Sequence, residues 1–180
     1  MIPRLATERL ILRDFRQEDL DHFAPFLADE EVMRYLGGAT LSRDDSWRNM
    51  ARSAGQWLLR GYGAWAVTRK SDGALMGRVG LLNPEGWPGL EVGWTLGRPY
   101  WGQGYATEAA QAAMNYGFLT QGVDQLISMI DPDNAASQAV AARIGEVKGE
   151  RREHVIDGKV YPFDIWVITR DEWRKRAVLP

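Results

Sequence analysis

At 180 residues the chain is long enough for one domain by the usual measure of about 150 residues each, and a domain of that size buries roughly 70% of its unfolded surface without staples. It has no cysteine and only two histidines, His22 and His154, which excludes disulfides, thiolate zinc sites and cysteine nucleophiles and leaves little for a histidine metal cluster or a Ser-His-Asp triad. With a net charge of −2, no long basic run and no apolar stretch of about 18 residues, it reads as a soluble cytoplasmic protein that meets neither nucleic acid nor membrane.

Residues 9–15, RLILRDF, alternate as a strand. Residues 16–29 place Leu20, Phe23 and Leu27 at helical spacing, with acidic residues early, where the helix dipole favours them. A short helix over 29–38 has Asp29 as its cap and a glycine stop. The helix over 42–60 opens on Ser42 and presents Trp47, Met50, Ala54, Trp57 and Leu58 as its apolar face. Strands follow at 63–70, 74–82 and 90–96, separated by the turn residues of SDG and NPEGWPG. The helix over 105–119 keeps Ala106, Ala109, Ala110, Ala113 and Gly117 on one face, so that a sheet can approach closely. Residues 125–131 form a buried strand, and 134–145 a helix that stops at Gly145. Strands at 146–155 and 160–169 flank the turn IDGK, 156–159, and RDEWRKR closes as a helix. Seven strands, antiparallel meanders plus one strand–helix–strand crossover, make an α+β or mixed α/β domain over 1–180. The final hairpin is a candidate surface for a homodimer.

YWGQGYATEAA, residues 100–110, places bare backbone at a helix opening. Gly102 and Gly104 let the chain approach a ligand, and the free N–H groups of the first turn, with the dipole behind them, suit a phosphate or pyrophosphate. A P-loop is excluded, because Gln103 stands where its lysine belongs and no serine or threonine follows. The dinucleotide fingerprint fails too: Gly102-Gln103-Gly104-Tyr105-Ala106-Thr107 ends in threonine, and GYGAWA, 61–66, leads from a helix into a strand, the reverse of the needed context.

TLGRPYWGQGYATEAAQAAMNYGF followed by DPDNAASQAVAARIG resembles the GNAT N-acetyltransferase superfamily, nearest its ribosomal-protein N-terminal acetyltransferase branch, and the resemblance runs from TERLILRDF to DEW. It implies a central, mostly antiparallel seven-stranded sheet splayed between the fourth and fifth strands, with helices on both faces, and acetyl-CoA as cofactor. The family's pyrophosphate signature is Gln/Arg-x-x-Gly-x-Gly/Ala; Gly104 and Ala106 match its last two positions, while Trp101 replaces the first. That departure moves the weight of binding to the backbone of Gly102, Gln103, Gly104, Tyr105, Ala106 and Thr107. The resemblance also implies that the main chain of Trp94, Thr95 and Leu96 lies along the acyl-pantetheine arm, a backbone N–H there polarising the thioester carbonyl. It places Asn134 against the pantetheine and Ser137 near the sulfur as the acid. Read from the residues alone, Asp133 or Asn134 is a helix cap.

Glu91 stands where several family members carry a general base; the alternative is a solvent-facing strand glutamate paired with Arg78. Asp164 and Glu153 are weaker carboxylates for that role, and Glu108 suits the helix dipole. Tyr35, Trp47, Trp57 and Trp87 are candidates to line the acceptor pocket. No metal is implied. The resemblance implies direct transfer of an acetyl group to a primary amine, either a small molecule or a protein N-terminus. The rival reading is a catalytically silent acyl-CoA-binding sensor of the same fold. Neither the acceptor nor the length of the acyl chain is written in these residues.

Overall fold

The computed structural model describes residues 1–156 and 158–176. Its strands are β1 (Leu5–Ala6), β2 (Leu10–Arg13), β3 (Ala64–Arg69), β4 (Leu75–Leu82), β5 (Glu91–Leu96), β6 (Gln125–Ile130), β7 (Val147–Ile156) and β8 (Lys159–Thr169). They form one sheet in the order β1-β2-β3-β4-β5-β6-β8-β7, antiparallel throughout except between β5 and β6. Among the described residues the strands number eight rather than seven because the two residues of β1 fold back on β2, Leu5 opposite Leu12. Two residues are too few to show a period. Asp157, in the turn expected at 156–159, lies outside the described residues.

Among the described residues six α-helices flank the sheet: α1 (Leu20–Leu27), α2 (Glu30–Met33), α3 (Arg43–Arg60), α4 (Tyr105–Tyr116), α5 (Ala135–Ile144) and α6 (Arg170–Arg176). The main core packs Leu10, Leu12, Trp65, Val67, Leu81 and Val92 beneath the small face of α4, where Ala109, Ala110 and Ala113 are fully buried. On the other face Phe23 and Leu27 of α1 and Met33 of α2 cover Ala66 and Leu75. Buried Asp19 takes both Arg13 Nη atoms at 2.7 Å and Arg16 N–H, pinning the start of α1 to β2.

The caps behave as their chemistry dictates. Ser42 accepts from Asp45 N–H, Asp29 from Glu31 N–H, and α3 and α5 end on Gly61 and Gly145 with φ of 74° and 99°. The buried face of α3 keeps Met50 and Trp57 of the expected one but is completed by Ser46 and Ser53, while Trp47 is 46% and Leu58 86% exposed. Two serines can be buried because each hydroxyl bonds back one turn, Ser46 to the Ser42 carbonyl and Ser53 to the Asn49 carbonyl. Their small size lets α3 lie close to α1, where Met50 joins Leu20 and Ala24.

Close approach also governs β4. A Cβ on Gly80 would run into the Ala64 Cα and the Gly63 carbonyl. Gly80→Ala should lower stability by about 1–3 kcal/mol, read as a lower urea midpoint at unchanged slope. An unchanged midpoint would mean β3 gives way there at little cost.

Candidate active site

The parallel seam is the one place where the ladder fails. β5 and β6 pair only at Glu91 and Ile127, with Ile127 N–H donating to the Leu90 carbonyl at 3.0 Å, and then diverge. Backbone groups alternate along a strand. Leu90 and Val92 turn their carbonyls toward β6, so Trp94 and Leu96 turn theirs into the gap. Trp101 answers one of these groups: its indole N–H donates to the Leu96 carbonyl at 2.7 Å. The residue that departs from the Gln/Arg signature thus clasps the glycine loop to the end of β5. Ser137, at the start of α5, faces the gap from the β6 side, and Trp94 Nε1 donates to its Oγ at 3.2 Å, leaving the Ser137 proton free. Asn134 caps α5, its Oδ1 accepting from Ser137 N–H at 3.1 Å, which leaves its amide NH2 unused by that bond.

A cavity of about 920 Å³ opens from this gap. It is lined by Trp94, Thr95 and Leu96 of β5, the loop from Trp101 through Thr107, and Asn134 and Ser137. The loop takes left-handed turns at Gly102 and Gly104, with φ of 72° and 80°. Gly104 caps α4 without a side chain, so the first-turn N–H groups keep their direction into the cavity mouth, and Glu108 N–H is the first to bond back, onto the Gly104 carbonyl. Thr107 Oγ1 is buried there with no partner among the described residues. Glu108 lines the cavity and could fill that positive end with its own charge, but the charge is already engaged: it accepts from Thr7 Oγ1 at 2.5 Å, Arg9 N–H at 2.8 Å and Arg9 Nε at 2.6 Å. Those bonds hold its carboxyl below the usual range against the upward push of burial. Free donors, an orphaned hydroxyl and open space over Gly102, where a Cβ would meet nothing within 4 Å, fit a pyrophosphate.

Glu91 sits at the foot of the gap and is not one of the cavity-lining residues. It is buried, not solvent-facing, and makes no ion pair with Arg78, which donates to Asn49 instead. Burial drives its carboxyl up to about 7, against the Trp87 indole N–H at 2.6 Å and Met129 N–H at 3.4 Å, which favour the charged form. Trp87 is itself held edge-on against His154 of β7. Gly93 leaves room beside the carboxylate: a Cβ there would stand 3.6 Å from Glu91 Oε1. Asp164 is a poor proton acceptor, since the Arg151 guanidinium and Lys148 ammonium hold it at about 2. Glu153 is exposed on β7.

Comparison with known proteins decides the family. The profile of the Acetyltransferase (GNAT) domain matches residues 9–147. The chain belongs to the GNAT acetyltransferase family. An uncharacterized protein, YkkB of Bacillus subtilis, is 34% identical over 148 residues, 79% of this chain and 84% of that one. An acetyltransferase from Agrobacterium tumefaciens superposes with a TM-score of 0.81 at 28% identity, over 93% of this chain and 95% of that one. RimL, a ribosomal L7/L12 acetyltransferase solved in complex with coenzyme A, shares the fold with a TM-score of 0.75 at 16% identity, over 95% of this chain and 98% of that one.

In this acetyltransferase the four aromatic candidates part company. Tyr35 lines the cavity. Trp87 bonds Glu91. Trp57 belongs to the core, packed on Trp65 and Tyr116 with its indole N–H on the Ala64 carbonyl, and does not line this cavity. Trp47 is 46% exposed and does not line the cavity, because α3 is turned to bury its serines instead. Sequence reasoning missed Arg9 as the anchor of Glu108, and it missed Ser128 and Glu146, both buried at the seam. Nothing in IGEVK marks its glutamate as buried. Trp87→Phe, which deletes the donor that favours the Glu91 carboxylate, should raise the Glu91 titration above about 7, read by carbon NMR of the labelled carboxyl. An unmoved titration would show that the indole bond is not kept in solution.

Proposed function

We propose that the protein transfers an acetyl group from acetyl-CoA to a primary amine by direct attack within a ternary complex. The observation that carries this reading is the convergence, on one cavity, of the free donors around Gly104 and the unpaired β5 backbone at Trp94, with a carboxyl of raised pKa at the foot of the same gap. The coenzyme A bound to the ribosomal-protein acetyltransferase of this fold supports the cofactor class.

When bound, acetyl-CoA supplies the thioester on which the amine acts. The backbone from Gly102 to Thr107, with the Thr107 hydroxyl, holds the pyrophosphate. The Trp94 N–H, pointing into the gap, polarises the thioester carbonyl, a kind of donor typically worth about 2.7–4 kcal/mol. Glu91, with a pKa of about 7, takes a proton from the incoming ammonium directly or through water. Ser137, whose oxygen already accepts from Trp94, would aim its hydroxyl at the departing sulfur and pass on to it the second proton that the nitrogen sheds after attack, so that the serine ends as it began. A thiol of pKa near ~8.5 needs only modest help to leave. The chain has no cysteine to carry an acyl intermediate. Tyr35, on the cavity wall, faces the acceptor, whether small amine or protein N-terminus.

Calorimetry with acetyl-CoA should show binding by the wild type and none by Gly104→Glu, whose carboxylate would stand where the pyrophosphate does. No binding by the wild type would sink the cofactor assignment. Glu91→Gln should cut kcat by about 10²–10⁴-fold while leaving acetyl-CoA affinity unchanged, and kcat of the wild type should rise as pH passes about 7. A wild-type protein that binds acetyl-CoA and acetylates no amine would be the silent sensor.

A further inference from the structure

Where the parallel ladder stops, side chains take over its bonds. The rung after Ile127 would join Met129 N–H to the Val92 carbonyl. Instead Met129 N–H donates to Glu91 Oε1 at 3.4 Å, and the Val92 carbonyl lies 2.7 Å from Ser128 Oγ. The same Oγ lies 3.0 Å from Glu146 Oε1. A serine hydroxyl has one proton to give. The Val92 carbonyl can only accept, and 2.7 Å is the ordinary O–H···O length, so that proton is committed to Val92. The contact with Glu146 then holds only if the proton comes from Glu146.

The surroundings agree. Glu146 is 3% exposed, and its Oε2 has no partner among the described residues. No cation pairs with it there. Lys148 of β7 serves Asp164, Arg176 of α6 lies against Gly145 and donates to the Arg143 carbonyl, and Arg143 of α5 points to the cavity. The charge facing it from β5 is that of Glu91, of the same sign. A carboxylate buried so, with one oxygen bare, costs far more than the neutral acid.

We propose that Glu146 is a positioning residue held as a neutral carboxylic acid, donating to Ser128 Oγ so that the Ser128 proton fastens the Val92 carbonyl at the foot of the gap and Glu91 alone is left to ionise. Only the last clause rests on the reading of Glu91 as the base; the protonation of Glu146 does not. Burial lifts the Glu146 carboxyl to about 8 even against the opposing pull of a Ser128 hydroxyl turned toward it, and the Glu91 charge adds to the lift. Loss of the proton would draw the Ser128 hydroxyl to the new carboxylate and strip the Val92 carbonyl of its donor.

Two measurements test this, and neither depends on turnover. The first is infrared spectroscopy of Glu91→Gln at about pH 6, well below the Glu146 value of about 8. The carbonyl band of a protonated buried carboxyl should be present and should vanish in the Glu91→Gln/Glu146→Gln double variant. No such band in Glu91→Gln would overturn the proposal. The second is thermal unfolding against pH. The folded state holds the Glu146 proton from the ordinary 4.5 up to about 8, so its stabilisation is complete below 4.5 and is lost as pH rises to about 8. Glu146→Gln donates the same bond and never ionises. The wild-type melting temperature should therefore fall behind that of Glu146→Gln by several degrees across this range. Parallel curves would overturn the proposal. Should acetyl-CoA binding or amine acetylation fail while both signatures hold, the reading of Glu91 falls and the neutral Glu146 stands.

Discussion

A sheet that changes from antiparallel to parallel pairing at one seam, and holds that seam by a single rung, must find other partners for the backbone beyond it. β1 through β5 form one antiparallel plate and β6 through β8 another, paired backbone to backbone only at Glu91 and Ile127. A buried backbone group left without a partner costs about 1–3 kcal/mol, so the divergence of the plates is a liability that has to be met group by group. The protein meets it with side chains near the rung, where Ser128 serves Val92 and Glu91 serves Met129, and at the far end, where Trp101 serves Leu96. Between them, around Trp94, the strand is left open to the cavity. What is unsatisfied is confined to the stretch where an extended, polar ligand arm could complete the ladder.

The same economy shapes the charges. A helix opening that favours anions would ordinarily attract its own first-turn acid. Glu108 is that acid, but Thr7 and Arg9 draw it off to the β1–β2 turn, and Arg9 also donates to the Gln103 carbonyl and lies over the Tyr105 ring at 4.4 Å. The cradle therefore keeps its free N–H groups, and the loop gains an anchor on the first strands. One ion pair thus ties the glycine loop to the first strands, and a residue that reads in the sequence as a dipole partner proves to be a tether.

Much of this architecture was legible in the residues. Strand alternation, caps and glycine stops located most elements, since those signals are local, and the glycine loop advertised its helix opening for the same reason. What stayed hidden depends on the packing of distant segments. The buried face of α3 is carried partly by Ser46 and Ser53, polar letters that become buriable only through bonds to their own helix. Trp57 and Trp47 look alike at helical spacing, yet one is core and the other exposed, because α3 buries the face that carries Ser46, Met50, Ser53 and Trp57. Trp101 read as the loss of a polar side chain from a signature; its indole N–H replaces that polarity toward the Leu96 carbonyl. Glu146 was invisible because its environment comes from β5 and β6, far away in the chain.

Two carboxyls at one seam, both lifted by burial, need not behave alike, and their donors decide between them. Glu91 receives an indole N–H at 2.6 Å and a backbone N–H at 3.4 Å, each of which stabilises the anion. Glu146 has a single hydroxyl for company, and that hydroxyl is spent on Val92. The pair repel, so whichever ionises first raises the other. With two donors against none, Glu91 ionises first and Glu146 is pushed further toward the neutral acid, in keeping with values of about 7 and about 8. Environments that drive neighbouring carboxyls apart are how one fold can hold a base and a neutral donor side by side. Here that separation follows from one missing rung of backbone hydrogen bonding.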